Sequence, residues 1–295
     1  MRERLKVIYN SLGILFKTIV STLCVLMFNR GNCKKRIKEF KINDDKKVVS
    51  LLANGPSVGD ILQNKRELLE GTDLLVLNYF ANSNLFFELK PQYYIILDPA
   101  YFIKGYGVAS EQNAKGEEDQ NAQMKANFDK VDWDMLFFVP NSKAAIKAAG
   151  VFAENPRIKV VPYNATRVLG YKWFQNYMYS HLQGLPTSRN VLISALEILI
   201  SLGYKKIYLY GAELSWTRTM DVDIDNGMMF FNDGHFYDKS SIRYFGKGGY
   251  KWWLEAIVEM LDGVEQIAYY AEYKGCKVVN RTPRSFLDSF EYEKI

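Results

Sequence analysis

The chain has 295 residues, of which 48% are hydrophobic and 24% charged, a composition that excludes a largely disordered protein. The net charge of +5 lies at the front: residues 1–41 hold ten basic and two acidic residues (+8), which leaves −3 for the rest. This distribution argues against a nucleic-acid groove and for contact of the first segment with anionic lipids. Three widely spaced cysteines exclude a disulfide framework and a zinc-binding Cys pair, and a cytoplasmic location fits them best.

The first segment, residues 1–41, contains a strongly apolar run from Leu5 to Phe28 that is interrupted by Lys6, Asn10 and Lys17. A signal peptide is disfavoured because no small-residue cleavage site follows the run. The stretch from Ser11 to Phe28, with Lys17 inside it, falls just short of a spanning helix, whereas a helix lying in the membrane interface tolerates the lysines. We expect a membrane-associating helix, with spanning and interfacial placement both open and packing against the protein itself as the alternative.

The main domain, residues 42–295, is predicted to start with a strand at Lys47–Ala53 and a tight turn at Asn54, Gly55, Pro56 and Ser57. Ser57 is predicted to cap a helix from Val58 to about Glu70. Such a turn lets backbone N–H groups approach a phosphate. It matches neither the dinucleotide-binding glycine pattern nor the ATP-binding P-loop.

Strands and helices alternate through the rest of the domain, and no composition shift divides it. This pattern predicts an α/β fold with a Rossmann-like, mainly parallel sheet and helices on both faces. The polar stretch 107–130 is predicted to be a loop or an exposed helix outside the core. The further strands are predicted at 73–78, 93–98, 135–140, 158–162, 206–210 and 277–280, and helices around 142–150, 188–202 and 250–274.

Polar residues that follow strands mark the expected ligand site, since ligands bind at the carboxyl ends of strands in open α/β sheets. Asn78 ends the second strand and Asp98 the third, while Gly211 and Glu213 follow the strand at 206–210. Residues 217–234 after it read as a mobile, acidic loop.

His235 is one of two histidines and directly follows that loop. Its near-neutral pKa suits a general base, which Asp233 or Asp238 could orient. A surface histidine is the plain alternative, and His181 is interpreted as a surface or structural residue.

Asp221, Asp223 and Asp225 resemble the metal-binding carboxylates of many glycosyltransferases. They do not close a strand, so a solvated acidic loop is the favoured interpretation and no metal is expected.

The turn Asn54–Ser57, the block from Thr187 and Ser188 through Gly203 to Gly211, and His235 occur in the order found in one known family. The chain resembles the bacterial sialyltransferases of glycosyltransferase family 42 and related nonulosonic-acid or Kdo transferases. The resemblance spans residues 47–280. It implies a CMP-activated sugar as donor, inversion at the anomeric carbon and no cofactor or metal.

The resemblance also implies roles for single residues. Asn54, Gly55 and Ser57 would hold the CMP phosphate and ribose, with Pro56 in the same turn, and Asn78 would contact the sugar donor. Thr187 and Ser188 would meet nucleotide or sugar. His235 would be the base, and the loop at 217–234 the lid. Asp98, Gly211 and Glu213 complete the expected nucleotide site.

Two departures bear on the sugar. Asp98 stands where the family has an asparagine, and Ser215 and Trp216 occupy the place of tyrosines that assist the leaving phosphate. Tyr237 or Arg243 is the candidate substitute for these tyrosines. A donor that carries another CMP-linked acid, such as Kdo, is therefore expected as readily as one that carries sialic acid.

The expected partners are a nucleotide-sugar donor, a glycan or glycolipid acceptor of the lipopolysaccharide or capsule type, and the cytoplasmic face of the bacterial inner membrane, without nucleic acid. Two alternatives remain open. One is a pterin diphosphokinase-like enzyme, which would use ATP and magnesium, and the other is a non-catalytic, membrane-anchored domain that only binds a nucleotide sugar or a partner protein.

Overall fold

The computed structural model describes residues 2–29, 33–44, 47–103, 111–232, 234, 236, 242–245 and 249–295. These residues form α-helices and β-strands that alternate along the main domain. In chain order they are α1 (Arg2–Phe28), α2 (Cys33–Lys38), β1 (Val48–Leu52), α3 (Ser57–Asn64), β2 (Asp73–Leu77), α4 (Leu85–Leu89), β3 (Tyr93–Ile95), α5 (Glu111–Phe128), β4 (Met135–Pro140), α6 (Lys143–Phe152), β5 (Ile158–Tyr163), α7 (Lys172–Ser180), α8 (Val191–Leu202), β6 (Lys206–Tyr210), β7 (Asp221–Val222), β8 (Met229–Asn232), β9 (Ile242–Tyr244), α9 (Gly249–Tyr273), β10 (Lys277–Asn280) and β11 (Glu291–Tyr292).

Eight strands form one sheet in the order β11-β10-β6-β1-β2-β3-β4-β5. Every strand pair of this sheet is parallel. Parallel neighbours need a crossover connection, which helices supply here. The predicted α/β fold with a mainly parallel sheet is therefore confirmed.

The sheet buries both of its faces, because successive strand residues alternate between two apolar clusters. Leu75 and Leu77 of β2 point into one cluster, which includes residues of α7, α8 and α9. Leu74 and Val76 point into the other, which includes residues of α3, α5 and α6. Helices therefore cover the sheet on both sides, as predicted.

The strand order reverses at β1, which lies between β2 and β6. Leu52 is in register with Val76 of β2 and with Tyr210 of β6. The chain thus leaves β1 toward one edge of the sheet and leaves β6 toward the other. A crevice at the carboxyl ends of such strands is where open α/β sheets bind ligands.

The polar stretch 107–130 was expected outside the core, and this expectation is wrong for its second half. α5 buries Met124 and Phe128 completely. Asn127 donates its side-chain N–H to the carbonyl of Ala81 at 2.8 Å. Two apolar residues at i and i+4 are enough to anchor the last turns of an otherwise polar helix.

Residues 217–234 contain more regular structure than the loop expected from sequence. β7, β8 and β9 form a separate antiparallel sheet in that order. Phe231 of β8 is buried, and its ring centre lies 4.8 Å from that of Trp253 in α9 and 5.8 Å from that of Phe245. This aromatic contact holds the small sheet against α9.

α1 carries an apolar stretch, Tyr9–Phe28, that is long enough to cross a membrane, with a mean hydropathy of 2.0 and only 11% of it buried. Ser21 and Val25 are its buried residues. The side-chain oxygens of Thr18 and Ser21 accept the backbone N–H groups of Tyr171 at 3.1 Å and Leu169 at 2.8 Å. One stripe of the helix thus contacts the domain, and the rest is exposed.

Candidate functional site

A cleft with about 110 Å³ of water-accessible space opens at the point where the strand order reverses. Four segments form it: the turn after β1, the end of β2, the start of α8, and the residues that follow β6, with the end of β8 at its rim. Its lining comprises Ala53, Asn54, Gly55, Pro56, Leu77, Asn78, Asn190, Val191, Leu192, Gly211, Ala212, Glu213, Leu214, Ser215, Trp216, Asn232 and Gly234.

The turn after β1 binds the Glu213 carboxylate. The backbone N–H of Ser57, at the start of α3, donates to Glu213 Oε1 at 2.8 Å. A Cβ atom on Gly55 would lie 1.6 Å from Glu213 Oε2 and 2.5 Å from the carbonyl oxygen of Gly211. Only glycine therefore fits at position 55 while Glu213 occupies the turn.

The predicted capping role of Ser57 is wrong. Pro56 is the N-cap residue of α3 and makes no side-chain capping bond. Ser57 is the first helical residue, and its buried Oγ has no hydrogen-bond partner among the described residues. The carboxylate of Glu213, 156 residues further along the chain, satisfies the helix N-terminus instead.

Glu213 changes where a phosphate can bind. A helix N-terminus attracts one anion, and at α3 that anion is a side chain of the protein. A phosphate charge about 4 Å from an ionised carboxylate would be repelled by about 4 kcal/mol near a protein surface. Direct phosphate binding at the N-terminus of α3 therefore requires the Glu213 side chain to move away.

A second helix begins at the cleft. Asn190, Val191 and Leu192 line it at the start of α8, a 12-residue helix with no acidic residue in its first turn. Asn190 caps this helix through its side-chain oxygen, which accepts the N–H of Leu192 at 2.9 Å. The N-terminal end of the α8 dipole is thus positioned to favour a negative ligand.

Residues with a left-handed backbone conformation cluster around the cleft. Asn78 has a φ of 54° and Leu214 a φ of 49°. The Tyr94 hydroxyl donates to the Asn78 carbonyl and holds it in place. Non-glycine residues with positive φ are uncommon and tend to lie at functional sites, where they fix the direction of polar groups.

The structure brings seven of the expected nucleotide-binding residues together at the cleft: Asn54, Gly55, Pro56, Asn78, Gly211 and Glu213 line it, and Ser57 is bonded to Glu213. Three others do not line it. The Asp98 carboxylate accepts the N–H of Ala100 at 2.9 Å and caps a short 3-10 helix. Thr187 and Ser188 precede α8.

Thr187 and Ser188 contact other parts of the domain, away from the cleft. A Cβ on Gly263 of α9 would lie 2.1 Å from the carbonyl oxygen of Thr187, so α9 packs closely on this segment. Ser188 Oγ donates to the Pro186 carbonyl at 3.2 Å. The neighbouring residues Asn190–Leu192, which sequence reasoning did not single out, line the cleft in their place.

His235 lies outside the described residues, as do Asp233, Tyr237 and Asp238 and the side chain of Arg243. The chain on both sides of position 235 is described. Gly234 lines the cleft. The backbone N–H of Phe236 donates to the Asn54 carbonyl at 3.1 Å, within the turn after β1.

Asp223 in the acidic segment is engaged in local hydrogen bonds. Its carboxylate accepts the N–H of Asp225 at 3.0 Å and bonds to Asn226 and to the Tyr244 hydroxyl, both at 2.9 Å. These bonds, first among them that from Asp225, lower the pKa of Asp223. Within the described part of the chain, no group of three or more His, Cys, Asp or Glu residues could hold a metal ion.

No protein-family model and no curated protein sequence matches this chain. Its fold is similar to that in the structure of the MAf glycosyltransferase from Magnetospirillum magneticum AMB-1, with a TM-score of 0.49 and 10% sequence identity. The similarity covers 90% of this chain and 39% of that one, so the chain spans well under half of its length. A likeness at this level concerns the arrangement of helices and strands, and the activity has to be inferred from the residues of the chain itself.

Proposed function

We propose that the protein is an inverting glycosyltransferase that takes a nonulosonic-type sugar from a CMP-activated donor and transfers it to a surface-glycan acceptor. One observation carries the proposal: the cleft lies at the carboxyl ends of β1, β2 and β6, where the strand order reverses. Nucleotides bind at this point of doubly wound sheets. The order of Asn54–Ser57, Thr187–Gly211 and His235 along the chain supports the choice of sugar donor.

The cleft suggests how the nucleotide is oriented. The Glu213 carboxylate already accepts a backbone N–H at the N-terminus of α3. The start of α8 lies at the same cleft and has no acidic side chain in its first turn. We place the phosphate of the sugar donor toward Asn190–Leu192. Asn54 and Asn78 line the same cleft and would contact the nucleoside or the sugar.

In the proposed reaction, the acceptor hydroxyl oxygen attacks the anomeric carbon while the bond from that carbon to the CMP phosphate oxygen breaks. The sugar configuration inverts, CMP leaves with the bonding electron pair, and the hydroxyl proton passes to His235. Neutral imidazole suits this step near neutral pH. The positions of Gly234 and Phe236 beside the turn after β1 support this role.

We further propose that the protein acts at the cytoplasmic face of the bacterial inner membrane, where a glycolipid acceptor would be available. Support comes from the exposed apolar surface of α1 and from the +8 charge of residues 1–41.

A binding screen tests the class of nucleotide. The full chain is titrated calorimetrically with CMP, UDP, GDP and ATP, each with and without magnesium. The proposal predicts that CMP binds most tightly and that magnesium does not change its affinity. Selective binding of ATP with magnesium would instead support the diphosphokinase-like alternative. CMP binding without transfer of a sugar to any acceptor would support the alternative of a non-catalytic binding domain.

A further inference from the structure

Two faces of α1 differ sharply in their surroundings. Thr18, Ser21 and Val25 face the domain, and Asn29, just after the helix, donates its side-chain N–H to the Gln183 carbonyl at 2.6 Å. The opposite face exposes large apolar side chains between Leu12 and Met27. Leu12 is 60% exposed, Phe16 67%, Leu26 75% and Met27 64%.

The contact with the domain is too close to be incidental. A Cβ on Gly170 would lie 2.1 Å from Thr18 Oγ1 and 2.8 Å from Thr18 Cα, so the loop before α7 needs glycine where the helix crosses it. Thr166 Oγ1 donates to Asn29 Oδ1 at 2.7 Å. Partly buried backbone N–H groups of the loop also find their acceptors on α1, as at Leu169.

This contact restricts how α1 can meet a membrane. The docked part runs from Thr18 to Asn29 and makes up the second half of the apolar stretch. Only ten residues separate Lys6 from Lys17. As a helix they extend about 15 Å, half of the roughly 30 Å of hydrocarbon in a bilayer. A spanning helix would therefore draw the loop before α7 into the hydrocarbon.

α7 extends the same surface. Tyr171, whose N–H bonds to Thr18, directly precedes this helix, and its ring stacks on that of Trp173 with centres 6.4 Å apart. Trp173 is 69% exposed, and Tyr177, one turn later, is 56% exposed. Exposed Trp and Tyr side chains favour the headgroup level of a membrane.

The positive charge of α1 and α2 indicates which partner this surface would bind. Lys17 of α1 and Lys35, Arg36 and Lys38 of α2 are exposed. A second copy of the chain would bring another strongly basic segment to the same place and be repelled, whereas anionic lipid headgroups are attracted. An apolar face of this length, with aromatic residues beside it and exposed basic residues in α1 and in the next helix along the chain, matches an anionic phospholipid surface.

We propose that α1 and the start of α7 form one surface that lies in the headgroup region of an anionic phospholipid bilayer, with α1 in the membrane plane and not across it. This inference rests on the membrane association proposed above and specifies its geometry. It is independent of which reaction the cleft catalyses.

Vesicle flotation tests the partner. The full chain is mixed with vesicles of phosphatidylcholine alone or with about 30% phosphatidylglycerol, and we expect at least about tenfold more binding to the anionic vesicles. Phe16→Asp with Leu26→Asp should reduce binding at least about tenfold, and Trp173→Ala should reduce it severalfold. The matched control, Ile146→Asp with Val151→Asp on the exposed face of α6, should bind as the unaltered chain does.

Cysteine labelling tests the orientation in a Cys24→Ser background. Asn10→Cys marks the start of the apolar stretch and Lys38→Cys marks α2. A membrane-impermeant maleimide added outside intact vesicles should label both positions if α1 lies in the plane. Labelling of Asn10→Cys only after the vesicles are lysed would show that α1 spans the bilayer and would overturn the proposed geometry while leaving membrane association intact.

Light scattering of the chain without vesicles measures its mass and tests whether the surface instead joins two copies of the chain. Absence of vesicle binding, together with a dimer that the Phe16→Asp and Leu26→Asp changes dissociate, would assign the surface to a second copy and overturn the proposal. Neither result would bear on CMP binding or sugar transfer, so a failure here is distinguishable from a failure of the proposed function.

Discussion

The backbone N–H of Ser57 donates to the carboxylate of Glu213 at the first turn of α3. This bond joins the turn after β1 to the segment after β6 across the floor of the cleft. It also places a negative side chain where an open α/β nucleotide site commonly places a phosphate. The protein thus fills the N-terminus of α3 with its own carboxylate.

The stability of Glu213 variants tests this contact. Glu213→Ala should lower the free energy of unfolding by about 1–3 kcal/mol, because a helix N–H loses its acceptor. Glu213→Gln keeps the size and an acceptor oxygen and should cost less. Urea denaturation gives the values, with exposed Glu88→Ala as the control, for which a change within about 0.5 kcal/mol is expected.

A double-mutant cycle isolates the packing of Gly55 against Glu213. Gly55→Ala alone should be strongly destabilising, since the new Cβ meets Oε2 of Glu213 at 1.6 Å. In a Glu213→Ala background the same change should cost at least about 1 kcal/mol less, although the contact with the Gly211 carbonyl remains. Additive effects would show that the carboxylate does not occupy the turn in solution.

The buried carboxyl of Glu197 should make the stability of the folded protein depend on pH. Glu197 is fully buried in α8, and burial raises the pKa of its carboxyl from 4.5 to about 8. The folded protein therefore holds a proton that the unfolded chain releases above pH 4.5. The contribution to stability is complete below pH 4.5 and is lost between pH 4.5 and about 8, at about 1.4 kcal/mol per pH unit.

Glu197→Gln should remove this slope and make the protein more stable than the unaltered chain at pH 8. Urea denaturation of both proteins from pH 5 to pH 8.5 measures it. Parallel pH profiles of the two proteins would mean that Glu197 stays ionised in the fold.

The sequence predicts the sheet well where strands are apolar and bounded by turn residues. The predicted bounds of β4, β6 and β10 agree with the structure, and the Asn54–Ser57 turn does lie at a cleft. Such features depend on local composition and on the rule that ligands bind at the carboxyl ends of strands.

Other features depend on contacts between distant parts of the chain. Nothing near Ser57 in sequence indicates that Glu213 satisfies α3, because the two are 156 residues apart. α9 approaches Thr187 closely at Gly263, and no local sequence pattern predicts this contact. The polar composition of α5 predicts a segment outside the core, although two apolar residues, Met124 and Phe128, are buried and anchor its last turns.

The acidic segment should be dispensable for catalysis. Replacing Asp221, Asp223 and Asp225 together by Asn keeps acceptor oxygens for the local hydrogen bonds of Asp223, so transferase activity should stay within a few fold of the original. Addition of EDTA to the unaltered protein should have equally little effect. Complete loss of activity under either treatment would point to a metal-dependent transferase or diphosphokinase.

His235→Ala should lower kcat by roughly 10²- to 10⁴-fold, the usual contribution of a general base, while CMP affinity barely changes. The rate of the unaltered enzyme should fall as pH drops through the pKa of the histidine, because only neutral imidazole accepts the proton. Circular dichroism and urea denaturation establish that the variant is folded. A folded variant that binds CMP and retains near-full turnover would rule out this role and leave Glu213, which lines the cleft, as the next candidate.

If the cleft at the reversal of strand order binds the nucleotide of the sugar donor, as we claim, filling it with a large side chain should block CMP. Calorimetric titration of CMP into two tryptophan variants measures this. Ser215→Trp fills the cleft from its lining, whereas Lys147→Trp adds the same side chain to the exposed face of α6. We predict that Ser215→Trp weakens CMP binding by at least about tenfold, or 1.4 kcal/mol, and that Lys147→Trp binds as the unaltered chain does. A folded Ser215→Trp variant with unchanged CMP affinity would contradict the claim.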